Sequence, residues 1–120
     1  MTFIIVDDSK FIQIEHKKIV EKLGYTVVDI CNDGVEGFES YKKHLPDYVL
    51  SDIDMPKMNG IEMTNKIIEF DCYAKIILIS GFEKDQMLSQ GIITEALECI
   101  KKPLTKEKLQ EVLDYDLSRN

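Results

Sequence analysis

Residues 51–60 read SDIDMPKMNG and follow the apolar run Tyr48-Val49-Leu50. A strand pattern therefore runs into Asp52, and a loop with Pro56, Asn59 and Gly60 comes after it. Carboxylates are rarely buried unless paired, so an acidic side chain ending an apolar strand needs a reason. In an open α/β sheet the carboxyl ends of the strands are where ligands bind and chemistry occurs. The plainer alternative is a surface Asp that opens a turn. The rest of the chain decides between the two.

Before this stretch, Phe3-Ile4-Ile5-Val6 is a short continuous apolar run, the pattern of a strand covered on both faces, and it stops at Asp7-Asp8. Ser9 is placed to cap a helix reaching Leu23, with Gly24 just past its end and Ile12, Ile19, Val20 and Leu23 as its apolar side. His16 falls on the same stripe and reads as a packed histidine. Thr26 to Cys31 is the second strand. Asp33 with Glu36 forms an Asp version of the capping box, opening a helix that turns Val35, Phe38 and Tyr41 inward and stops before Pro46.

After Asp52, Asn59 caps a helix with Glu62 at its third position and Ile61, Thr64, Ile67 and Ile68 as the inner stripe. Lys75 to Ser80 is a fourth buried strand. Lys84 to Ala96 reads as a helix weakened by Gly91, which costs about 1 kcal/mol relative to Ala. Leu97 to Ile100 is a short fifth strand. Lys101-Lys102-Pro103 follows, and Thr105 caps a last helix with Leu109, Val112, Leu113 and Leu117 inward. Five strands alternating with five helices over short connections require parallel strands and right-handed crossovers. The expected fold is α/β: a three-layer, doubly wound (βα)5 unit of the flavodoxin-like kind, with a five-stranded parallel sheet in the order 2-1-3-4-5.

The 120 residues are enough for one domain with its own core, and we expect a single domain over 1–120. A net charge of −7 argues against direct binding of nucleic acid or an anionic membrane. No apolar run is long enough to cross a bilayer, and a strand pattern starts straight after Met1, leaving no room for a signal peptide. Cys31, Cys72 and Cys99 are odd in number and form no CxxC pair, which fits reduced cysteines in the cytoplasm rather than a metal cluster.

The strand ends carry the chemistry. The first ends on Asp7 and Asp8, the third on Asp52, the fourth on Ser80, and the fifth leads to Lys102. Three carboxylates in one crevice stay ionised only beside a hard divalent cation or an ammonium. Mg²⁺ suits them, since it takes oxygen ligands and is held by one or two carboxylates together with phosphate oxygens. Carboxylate, Mg²⁺, Lys102 and the Ser80 hydroxyl together are equipment for phosphoryl transfer, with an Asp as nucleophile.

These residues resemble the receiver domain of two-component response regulators. The matching motifs are Val6-Asp7-Asp8-Ser9, Ser51 to Gly60, Ser80-Gly81 and Lys102-Pro103, and the resemblance spans essentially the whole chain. It implies that Asp52 accepts a phosphoryl group from a sensor histidine kinase or a histidine phosphotransfer domain. It also implies that Asp7, Asp8, Asp52 and the backbone carbonyl of Asp54 hold Mg²⁺. Ser80 and Lys102 are implied as phosphate contacts, with a cis bond between Lys102 and Pro103. Such a domain is a signalling switch rather than an enzyme, catalysing only its own phosphorylation and dephosphorylation. The surface of the fourth helix, fifth strand and fifth helix would carry the signal to an effector protein. Asp54 and Phe82 stand where side chains flank the path of an attacking water. One position departs from the pattern: Cys99 stands three residues before Lys102, where the family commonly has Tyr or Phe as a rotating relay.

Three other readings compete. Asp52-Ile53-Asp54 satisfies the bare DxD of haloacid-dehalogenase phosphatases, whose motif follows the first strand rather than the third. A flavin-binding module needs a phosphate-cradling loop after the first strand, where Asp7 and Asp8 would repel a phosphate. A receiver-like interaction module that is never phosphorylated would have no need of Asp52 and Lys102.

Overall fold

The computed structural model describes residues 1–82, 86 and 95–119. The order is β1 (Thr2–Val6), α1 (Lys10–Lys22), β2 (Thr26–Cys31), α2 (Gly34–His44), β3 (Tyr48–Asp52), α3 (Gly60–Phe70), β4 (Ile76–Ser80), β5 (Glu98–Lys101) and α4 (Lys106–Ser118). Every strand pairing is parallel, and the sheet order is β2-β1-β3-β4-β5. This is the doubly wound arrangement expected. The expected helix Lys84 to Ala96 lies largely outside the described residues.

Alternation along the inner strands divides the core in two. Phe3, Tyr48, Leu50, Ile77 and Ile79 face one way and pack with Val20 of α1 and Leu109 and Leu113 of α4. Ile4, Val49, Ile76 and Leu78 face the other way and pack with Tyr41 of α2 and Met63 and Ile67 of α3. Successive strand residues point to opposite faces, so helices on both sides require strands that are apolar throughout. Phe3–Val6 of β1 and Ile76–Ile79 of β4 meet that requirement.

The helix starts follow the expected caps. The side chains of Ser9, Asp33, Asn59 and Thr105 each accept a backbone N–H three residues on, from Ile12, Glu36, Glu62 and Lys108. Asn59 and Glu62 complete a reciprocal box, whereas the Glu36 carboxylate accepts from Asn32 N (3.0 Å) instead of closing onto Asp33. Gly24 takes φ +88 just past α1, a backbone region that glycine enters without a Cβ penalty. The Lys102–Pro103 bond is cis.

Two side chains expected inside are outside. Val35 is 44% exposed and Leu117 is 40% exposed. Val35 lies in the first turn of α2, whose inward side is taken by Gly34 and Gly37, set close against Met58 and Val6. On α4 the inward position next to Leu117 is held by Asp116, buried through bonds to Tyr48 Oη (2.6 Å) and Lys75 Nζ (2.8 Å). A buried carboxylate with two such donors is compensated, and Leu117 is turned toward solvent.

Candidate functional site

The register of the sheet brings the strand ends together. Val6 of β1 pairs with Ser51 of β3, and Asp52 pairs with Ile79 of β4. Asp7 therefore emerges beside Asp52, with Ser80 one residue beyond on the next strand. Ser80 pairs with Lys101 of β5, and the backbone N–H of Lys102 donates to the Ser80 carbonyl (2.7 Å). That bond fixes the start of the Lys102 side chain at the same edge.

Asp7, Asp8 and Asp52 each offer a carboxylate oxygen, and these oxygens lie within 4.8 Å of one another. Among the described residues this is the only such acidic, His or Cys grouping. Asp7 and Asp52 are buried and Asp8 is exposed. Lys102 Nζ stands 3.1 Å from Asp52 Oδ1, which also accepts from Ile53 N (2.9 Å). Asp7 Oδ1 accepts from Ser9 N (2.9 Å). Burial pushes the Asp7 carboxyl up to about 6; the Ser9 N–H works against this, while the negative charges of Asp52 and Asp8 add to it. Among the described residues one ammonium faces three carboxylates, so a divalent cation would balance the remaining charge. An all-oxygen donor set of this kind fits Mg²⁺.

A cleft of about 340 Å³ opens beside this cluster, walled by Ile12 and His16 of α1 on one side and by Pro103 and Leu104 on the other. His16 is buried, and burial with the nearby Lys102 charge pushes its imidazole down to about 4, so it is neutral at pH 7. Ser80 is buried with its hydroxyl accepting from Phe82 N (3.0 Å), and neither residue lines the cleft. Phe82 is 45% exposed. Asp54 is exposed and stands outside the acidic cluster. Cys99 is half-buried on β5 against the α2–α3 side of the core.

α3 is held tightly to this edge. Gly60 N donates to the Ile53 carbonyl (2.8 Å), and a Cβ on Gly60 would collide with the Asp52 carbonyl oxygen. Alanine normally favours a helix over glycine. Here the sign inverts: Gly60→Ala should lose about 2 kcal/mol, because the obstacle is backbone and cannot swing aside. Urea unfolding checks this, and a neutral or stabilising result would contradict the contact.

The response regulator receiver domain family model matches residues 3–114. The chain belongs to that family. It is 41% identical over 110 residues to the chemotaxis protein CheY of Treponema pallidum, covering 90% of this chain and 76% of that protein. It is 38% identical over 111 residues to CheY of Thermotoga maritima, covering 92% of each. Among solved structures, the CheX–CheY–BeF3–Mg²⁺ complex of Borrelia burgdorferi matches with a TM-score of 0.88 and 35% identity, over 98% of this chain and 89% of that one. This receiver domain is thus of the CheY type, a phosphoacceptor signalling domain of two-component systems. No helix among its described residues is long and apolar enough to cross a membrane.

Proposed function

We propose that residues 1–120 act as one receiver domain in the cytoplasm, with Asp52 as phosphoacceptor, Asp7, Asp8, Asp52 and the Asp54 carbonyl as the Mg²⁺ site, and Ser80 and Lys102 as the phosphate contacts. The observation that carries the reading is the Lys102 ammonium at 3.1 Å from an Asp52 carboxylate whose oxygens share one space with those of Asp7 and Asp8. The donor is a phosphohistidine on a sensor kinase or phosphotransfer domain. An Asp52 oxygen bonds to phosphorus as the phosphorus–nitrogen bond breaks, and the electron pair leaves with the imidazole. Mg²⁺, when bound, supplies positive charge against the phosphoryl oxygens. Lys102 supplies a second positive charge from the other side, and the Ser80 hydroxyl donates to a phosphoryl oxygen. The chain itself is the product, so apart from losing its own phosphoryl group it turns over no substrate.

Output follows from the Ser80 hydroxyl. When it turns to a phosphoryl oxygen it gives up the Phe82 N–H that it accepts at 3.0 Å. The Gly81-Phe82 turn is then released, which provides a relay that needs no aromatic ring at Cys99. The surface of β5 and α4 changes and meets an effector protein; the other helix expected on that surface, Lys84 to Ala96, lies largely outside the described residues. We assign Phe82 a shielding role over the acyl phosphate as well. Phe82→Ala should shorten the phosphoryl lifetime severalfold, and an equal or longer lifetime would remove that role.

Acetyl phosphate with Mg²⁺ should add one hydroxylamine-labile phosphoryl group by intact mass, with no turnover of a generic phosphomonoester. Sustained turnover would favour a phosphatase, and no uptake would favour a pure interaction module.

A further inference from the structure

Gln13 lies on α1, is buried at 4% exposure, and has no part in the proposed chemistry. Its amide nitrogen is 2.6 Å from the Asp7 carbonyl oxygen, 3.4 Å from that of Cys31 and 3.0 Å from Asn32 Oδ1. Two of these partners are backbone carbonyls, which only accept, so the NH₂ end of the amide must face them. Asn32 Oδ1 is fixed in turn by Lys10 Nζ (2.7 Å), and Asn32 Nδ2 donates to Glu36 Oε1 (3.1 Å). The same turn reaches the loop after Asp52, since Gly34 N donates to the Met58 carbonyl (3.0 Å).

Asp7 is therefore held at two points. Its carboxylate is fixed by the Ser9 N–H and its backbone carbonyl by the Gln13 amide. The Asp7 carbonyl belongs to the peptide joining Asp7 to Asp8, so the plane of that peptide governs where the two carboxylates point relative to each other. Asp7 and Asp8 repel one another and Asp52, so this turn would relax outward without an anchor. We propose that Gln13, itself anchored by Asn32, is the positioning residue that holds the Asp7–Asp8 peptide and thereby sets the affinity of the site for Mg²⁺. The inference rests on the reading of Asp7 and Asp8 as the metal's ligands. Groups that orient metal ligands commonly change affinity by about 10- to 100-fold when removed.

Gln13→Met keeps the length and bulk of the side chain and deletes only the donors. Calorimetric titration with Mg²⁺, well below the melting temperature, should show its affinity weakened about tenfold or more. Asn32→Ala keeps the Gln13 amide but removes one of its three partners, and should weaken affinity by a smaller factor than Gln13→Met. Unfolding of each variant in chelator reports the purely structural loss, which alone leaves the dissociation constant unmoved once the protein is folded. Parent-like Mg²⁺ affinity in folded Gln13→Met would overturn the proposal while leaving the metal site intact. A parent protein that bound no Mg²⁺ would overturn the metal site and the proposal together. Should Gln13→Met fail to fold, Asn32→Ala decides: parent-like affinity there would overturn the proposal.

Discussion

Asp52→Asn should take up no phosphoryl group from acetyl phosphate under conditions that fully modify the parent. The amide has the shape of the carboxylate and can keep the bond from Ile53 N, so the fold should survive. It lacks the anionic oxygen that attacks phosphorus, and a neutral amide is a poor nucleophile. The change leaves Lys102 without its carboxylate at 3.1 Å, but the Lys102 side chain is 46% exposed and water can solvate it. Stability should therefore move by less than about 1 kcal/mol. Intact mass reads the outcome directly. Equal phosphorylation of Asp52→Asn would move the acceptor to another residue, with Asp7 and Asp8 the first to examine.

The second large effect is on stability and metal binding together. Asp7 titrates near 6 in the fold against 3.8 for a free side chain. The metal-free native state thus binds more protons than the unfolded chain between these values, and its stability falls as pH rises from about 4 to about 6. At about 1.4 kcal/mol per pH unit this sets a penalty on the order of 3 kcal/mol at pH 7. His16 acts in the opposite sense. Its folded value near 4 lies below the ordinary 6.5, so it costs stability as pH falls from about 6.5 toward 4. In the parent the two slopes oppose each other across this window.

Asp7→Asn removes one of them. In chelator it should be more stable than the parent at pH 7 by roughly 2–3 kcal/mol, with a stability that now rises with pH between about 4 and 6.5. Excess Mg²⁺ should reverse the ranking in part, since the parent gains about 2.7 kcal/mol at 100 times its dissociation constant while a variant short of one ligand gains little. Urea unfolding at pH 4.5 and pH 7, with chelator and with Mg²⁺, separates these terms. An Asp7→Asn protein no more stable than the parent at pH 7 without metal would show that burial and the neighbouring charges put no penalty on the ionised Asp7 carboxylate.

The strands and the helix caps were readable from the chain because each depends on near neighbours. Ser9, Asp33, Asn59 and Thr105 bond backbone three residues away, and β1 and β4 are short apolar runs bounded by polar residues. With parallel strands the carboxyl ends share an edge, so Asp7, Asp8, Asp52, Ser80 and Lys102 could be assembled without coordinates. Tertiary structure decided what depends on how elements are rotated against each other. Val35 and Leu117 sit at plausible inward positions, yet Gly34 and Gly37 let α2 approach its neighbours closely, and Asp116 takes the inward place on α4 because Tyr48 of β3 and Lys75 just before β4, both far away in sequence, meet it. Glu36 follows the spacing of a capping box but bonds Asn32, and Gln13 shows no motif at all. A buried amide is recognised only when the carbonyls it satisfies, Asp7 just past β1 and Cys31 at the end of β2, have been brought to it by the register of the sheet.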